Sequence, residues 1–120
     1  AAENLFRVLQ MMLDGGTRGQ TRVLSRASAE LMRVNHLSSL ATPERQPGVG
    51  FGLGYAVLVD AGRYGDVGAP GLMWWAGSTN TRYWVDPASG MVGMYLTQVL
   101  PFPYLDLMNS VMRLSIQALE

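Results

Sequence analysis

The chain has 120 residues, 48% of them hydrophobic and 15% charged, with zero formal net charge, the size and balance of one small globular domain. A neutral chain argues against a nucleic-acid footprint and against charge steering of an acidic substrate. All nine basic residues are arginine and cysteine is absent, which excludes a disulfide framework, a thiolate metal site and any cysteine or lysine chemistry from these residues; no apolar run reaches the length of a membrane span.

Residues 2–14 read as a helix. Leu5, Phe6, Leu9, Met12 and Leu13 recur at three- and four-residue spacing and form one apolar face. Gly15-Gly16 ends it. No capping residue precedes it and the sequence opens without Met, so we expect the natural chain to extend further back. Thr17 to Leu24 is a polar connection. Ser25 is placed to cap a second helix over about residues 26–34, with Leu31 and Val34 turned inward. Ser25 and Ser28 read as structural. His36, the single histidine, reads as a cap or surface residue, with no second ligand type near it to make a metal site.

Residues 38–50 have loop chemistry, with Ser38-Ser39, Thr42-Pro43 and Gln46-Pro47-Gly48. Phe51, Leu53, Tyr55, Val57 and Val59 then alternate with Gly52, Gly54, Ala56 and Leu58, which predicts a strand with one bulky and one small face. The glycines at 48, 50, 52 and 54 fit neither the dinucleotide fingerprint nor the Walker loop. Asp60 to Gly71 reads as a long exposed turn.

Leu72 to Gln98 reads as three strands and two tight turns. The first strand ends in Trp74-Trp75-Ala76-Gly77, and Ser78-Thr79-Asn80 turns the chain. Thr81 to Asp86 is β-branched and aromatic, and Pro87-Ala88-Ser89-Gly90 turns it again. Met91 to Gln98 is nearly all apolar, a strand covered on both faces. Pro101-Phe102-Pro103 stops it, and Tyr104 to Leu119 closes the chain as a helix, in which Met108 and Met112 are core filler. The pattern is α+β: an antiparallel sheet of about four strands with N-terminal helices and a C-terminal helix, in a single domain over residues 1–120. On pattern alone the three strands could be a plain meander carrying no chemistry.

Particular runs carry a resemblance. Trp75-Ala76-Gly77-Ser78-Thr79-Asn80-Thr81-Arg82-Tyr83-Trp84-Val85-Asp86-Pro87, Gly90-Met91-Val92-Gly93 and Leu96-Thr97-Gln98 resemble the C-terminal part of serine β-lactamase-like (penicillin-binding-protein-like) hydrolases, closest to the class C type esterases. Asn4 to Arg7, Met11 to Gly16, Val23 to Ser25, Leu31-Met32 and Phe51 to Tyr55 match in the same order, so the resemblance spans nearly the whole chain.

The resemblance implies a partial β-lactamase/transpeptidase-like fold and a role in acyl transfer. It places the family's third active-site motif on Trp75-Ala76-Gly77, with Trp as in the esterase branch. It puts a backbone oxyanion-hole amide on Ser78 and substrate contact on Trp75, Ala76, Gly77 and Asn80. It implies no cofactor and no metal. The family's Ser-x-x-Lys and Tyr-x-Asn motifs are absent, so the nucleophile is expected on polypeptide preceding Ala1. The implied partner is a small ester or amide substrate bound together with that missing part. Nothing implies a nucleic-acid partner, and the compartment is left open. The alternative is a stand-alone, non-catalytic domain that binds a small ligand or a protein. With the family's preceding strands absent, the strand from Met91 would expose an edge, and a homodimer would follow.

Overall fold

The computed structural model describes residues 1–37, 46–100 and 106–119. It begins with helix α1 (Ala2–Leu13), a two-residue ladder β1 (Thr17–Arg18) and β2 (Thr21–Arg22), and helix α2 (Arg26–Arg33). Strands β3 (Val49–Phe51) and β4 (Ala56–Leu58) follow, then a single-turn helix α3 (Ala61–Tyr64). Strands β5 (Met73–Gly77), β6 (Thr81–Asp86) and β7 (Met91–Tyr95) precede helix α4 (Leu107–Gln117). The five strands from β3 to β7 form one antiparallel sheet in sequence order. The α+β architecture expected above is therefore present. The predicted stop at Pro101-Phe102-Pro103, the start of the last helix at Tyr104, and the loop over residues 38–45 lie outside the described residues.

The sheet buries both faces, and strand alternation sorts its side chains between them. On one face Leu9, Met11 and Met12 of α1 meet Tyr55, Val57, Met73 and Val85. On the other, Ala56, Leu58, Leu72, Trp74 and Trp84 meet Met112 of α4. Met108 and Met112 are both buried, as core filler should be.

One cross-strand arrangement ties the three long strands together. Trp74 of β5 stands opposite Trp84 of β6, and Trp84 opposite Gly93 of β7. The Trp84 ring lies over Gly93 and occupies the space a side chain there would need. Burying such a ring is worth about 4–6 kcal/mol. Among the described residues the Trp84 Nε1–H, which is buried, has no hydrogen-bond partner. That costs about 1–3 kcal/mol, so burial wins.

The structure departs from the sequence reading in several places. The single strand expected over residues 51–59 is the hairpin β3–β4. Gly54 takes φ 106°, and the Gly52 N–H donates to the Tyr55 carbonyl at 2.8 Å. The glycines supply a turn inside an alternating pattern. Leu31 and Val34 are exposed, and Ala29 and Met32 turn inward instead. The reason is a close backbone approach: the Leu53 N–H donates to the Met32 carbonyl at 3.0 Å, and a side chain at Gly52 would meet that oxygen. That contact rotates Leu31 and Val34 outward. Phe6 is likewise exposed, because Leu5, Leu9 and Met12 already form the stripe that meets the sheet.

Within the long turn, Asp60 caps α3 by accepting from the Arg63 N–H at 3.1 Å, and Gly65 at φ 70° ends it. Strand β7 stops at Tyr95, short of Gln98, because Thr97 shares its hydroxyl between the carbonyls of Thr79 (2.7 Å) and Asn80 (3.0 Å). The other local readings hold. Ser25 caps α2 by accepting from the Ser28 N–H at 3.0 Å. His36 is exposed, and its Nε2 contacts the Leu31 carbonyl at 2.7 Å near the end of that helix.

Away from the sheet, α4 is held to the segment after α3 by a forked ion pair. Arg113 Nε and Nη2 donate to both Asp66 oxygens at 2.7–3.1 Å. These bonds hold the Asp66 carboxyl below its ordinary range, and they raise Arg113 in turn.

Two outcomes are expected. Gly93→Ala drives a methyl to within 2.1 Å of buried Trp84 ring carbons, so urea denaturation should show a loss of about 1–3 kcal/mol. Because the folded Asp66 pKa is depressed, its stabilisation is present above the unfolded-state value and is lost as pH falls through the folded one. Asp66→Asn should therefore lower the urea midpoint at neutral pH, and the gap to the parent chain should close in acid.

Candidate functional site

The site is built on the far half of β5. On one side β5 pairs with β6 along its whole length, from Met73 opposite Val85 to Gly77 opposite Thr81. On the other side it pairs with β4 only at Met73 and Trp74. Beyond Trp74 the β4-facing edge of Trp75, Ala76 and Gly77 has no strand partner among the described residues. A cavity of about 320 Å³ opens alongside, lined by Gln46, Ala56, Trp74, Trp75, Ala76, Gly77, Ser78 and Arg82. That is at the small end of the range for sites that hold small molecules.

Four of the five residues singled out by sequence come together here. Trp75 is about half exposed and meets Phe51 of β3 edge-on, with ring centroids 5.1 Å apart. Ala76 and Gly77 are half-buried in the cavity wall. Ser78 is exposed at the cavity's end, and its backbone N–H enters no hydrogen bond among the described residues. A side chain at Gly77 would collide with Thr81 Oγ1, so the missing Cβ makes room for the hairpin itself.

Asn80 is not brought to this cavity. It is buried at φ 60°, in the left-handed region that Asn tolerates, and its Nδ2 donates to the Val99 carbonyl at 2.6 Å. It lines a separate small cavity with Tyr95, Thr97, Val99 and Leu107. Its place is in the β5–β6 turn.

The residue that sequence reading passed over is Arg82. It was read only as part of a strand, although its alternation with Trp84 places it on the inward face. It is 7% exposed, and among the described residues its Nε has no hydrogen-bond partner. Its Nη1 donates to the Met112 thioether at 3.8 Å. Burial pulls its pKa below the ordinary arginine value, and nearby Tyr64 and Asp106 act the other way. A second cavity of about 340 Å³ shares Gln46 and Arg82 with the first. Tyr64, which lines that cavity, has its pKa raised first by burial and then by Asp66. Among the described residues no cluster of three or more His, Asp or Glu side chains could hold a metal ion. No described helix is long and apolar enough to cross a membrane.

No family model matches the chain. It is 33% identical over 110 residues to Protein Rv1367c and to Uncharacterized protein MT1414, from two strains of Mycobacterium tuberculosis, the match taking in 83% of this chain and 27% of each relative. Among solved structures it is similar to EstCE1, a hydrolase with promiscuous acyltransferase activity, at TM-score 0.78 and 28% identity over 96% of this chain and 29% of that one. It is also similar to unliganded simvastatin synthase (LovD) from Aspergillus terreus, at TM-score 0.66 and 18% identity over 95% of this chain and 32% of that one. The chain thus spans about a quarter of the length of the curated relatives it matches, 27% in each case, and under a third of these structures. Its fold is a portion of the β-lactamase/transpeptidase-like serine hydrolase fold.

Proposed function

We propose that residues 1–120 are the C-terminal part of a serine esterase of the β-lactamase-like kind, and that β5 forms one wall of its acyl-transfer cleft. Trp75-Ala76-Gly77 is the third motif. The Ser78 N–H is one oxyanion donor, and Trp75 and Ala76 face a small ester or amide. The nucleophile and the amine that activates it belong to polypeptide outside these residues, since the chain holds no lysine. The observation that carries the reading is the half-paired β5, with a cavity along its open edge and an uncommitted amide at its end. An N–H fixed by a hairpin stabilises a developing oxyanion without reorganising during the reaction. The likeness to EstCE1, itself a hydrolase, supports the same reading.

A stand-alone binding domain is the second reading, favoured by the outer edge of β7, which no described strand pairs. In that reading two copies join edge to edge about a two-fold axis.

By itself the chain is expected to hydrolyse p-nitrophenyl butyrate at the background rate. A burst of one nitrophenolate per chain would show that it carries its own nucleophile. A chimera in which this chain replaces the matching segment of EstCE1 should turn the ester over. In it Ser78→Pro, which deletes the N–H, should lower kcat about 10²–10³-fold with little change in KM, while Ser78→Gly keeps activity. Equal activity of the two variants would remove Ser78 from the oxyanion hole. Light scattering at high micromolar concentration tests the edge pairing itself: a dimer of the chain alone is expected, and a monomer would count against it.

A further inference from the structure

We infer that Phe51 is a positioning residue for the cavity beside β5: its ring holds Trp75 in place and so sets the length of acyl chain that the proposed cleft accepts. The inference rests on the proposed function and adds a determinant of substrate size to it.

Pairing between β4 and β5 stops at Trp74, so among the described residues no strand supports Trp75 on the cavity side. Its indole is about half exposed and needs another brace. Phe51 supplies it from one strand further away. In register Phe51 stands opposite Ala56, and Ala56 opposite Trp74, with Trp75 next along β5. The Phe51 ring reaches past the end of β4 and meets the Trp75 ring edge-on, at 5.1 Å between centroids and 81° between planes. Among the described residues this is the one ring–ring contact that Trp75 makes. Edge-to-face pairing has a preferred geometry, so it fixes an orientation as well as a distance.

A brace must itself be fixed, and Phe51 is. The segment after α2 clamps its backbone on the side away from β4. The Phe51 N–H donates to Asn35 Oδ1 at 3.1 Å, and the Phe51 carbonyl accepts from the His36 N–H at 2.8 Å. The approach is so close that a side chain at Gly50 would collide with the Asn35 carboxamide. Neither Phe51 nor Asn35 lines the cavity, so their effect passes through Trp75, which does. With Ala56, Trp74 and Ala76, Trp75 gives the cavity its apolar walls. An apolar wall held in place limits chain length, and one released from its brace admits more methylenes.

The test has two arms. Trp74 and Trp84 are 3% and 2% exposed against 48% for Trp75, so iodide quenching of the chain itself reads Trp75. Phe51→Ala should raise the quenching constant by up to about twofold as the freed indole samples other rotamers. Phe51→Tyr keeps the ring and should restore the parent value. Phe51→Leu keeps apolar bulk without the aromatic edge and should raise the constant at an unchanged melting temperature; it decides the matter if the alanine variant does not fold. In the EstCE1 chimera, Phe51→Ala or Phe51→Leu should raise kcat/KM for p-nitrophenyl octanoate relative to the butyrate by about tenfold, chiefly through a lower KM for the longer ester. Phe51→Tyr should return the parent ratio. An unchanged quenching constant overturns the brace, and a raised constant with an unchanged ratio overturns its part in acyl selection. The quenching arm needs no turnover, so the Ser78 experiment can fail while this one succeeds, and the reverse.

Discussion

Strand β5 is paired unequally on its two sides, through Gly77 with β6 and only through Trp74 with β4. That mismatch leaves an open edge with a cavity alongside. Strand β4 is three residues long, and the Gly52–Tyr55 turn precedes it, so it leaves the sheet before reaching Trp75. An open edge in mid-sheet would ordinarily be loose. Here its other side is paired with β6 along its whole length, and Trp74 and Trp84 pack the same strands onto α4. A site on a rigid strand can hold an amide in place without spending binding energy to order it.

Charge is distributed to suit that geometry. Arg113 and Asp66 satisfy each other near the surface and fasten α4 to the segment after α3. Arg82, from β6, lines both cavities and has no ion pair among the described residues.

How much of this was legible beforehand varies with the physical origin of each feature. Turn chemistry was legible residue by residue: Ser25 as a cap, Gly15-Gly16 as a stop and the turn after Asp86 all depend on local backbone preferences. Of the five candidate residues in the run around Trp75, four share one cavity. Asn80 lines a different cavity, since position in a motif does not say which way a turn points its side chain. Leu31 and Val34 were misread because an eight-residue helix has too few turns for periodicity to pick its inner face.

From residue order alone came helices α1 and α2, strands β5 to β7 and the α+β class, all set by alternation, glycine and proline placement, and apolar spacing within a few residues. Tertiary structure decided what depends on distant neighbours. It split the alternating run over residues 51–59 into a hairpin, ended β4 short of Trp75 and so opened the edge, and brought Arg82 between two cavities. Those outcomes come from how strands and helices pack against one another, and a contact between residues far apart in the chain leaves no periodic trace near either of them.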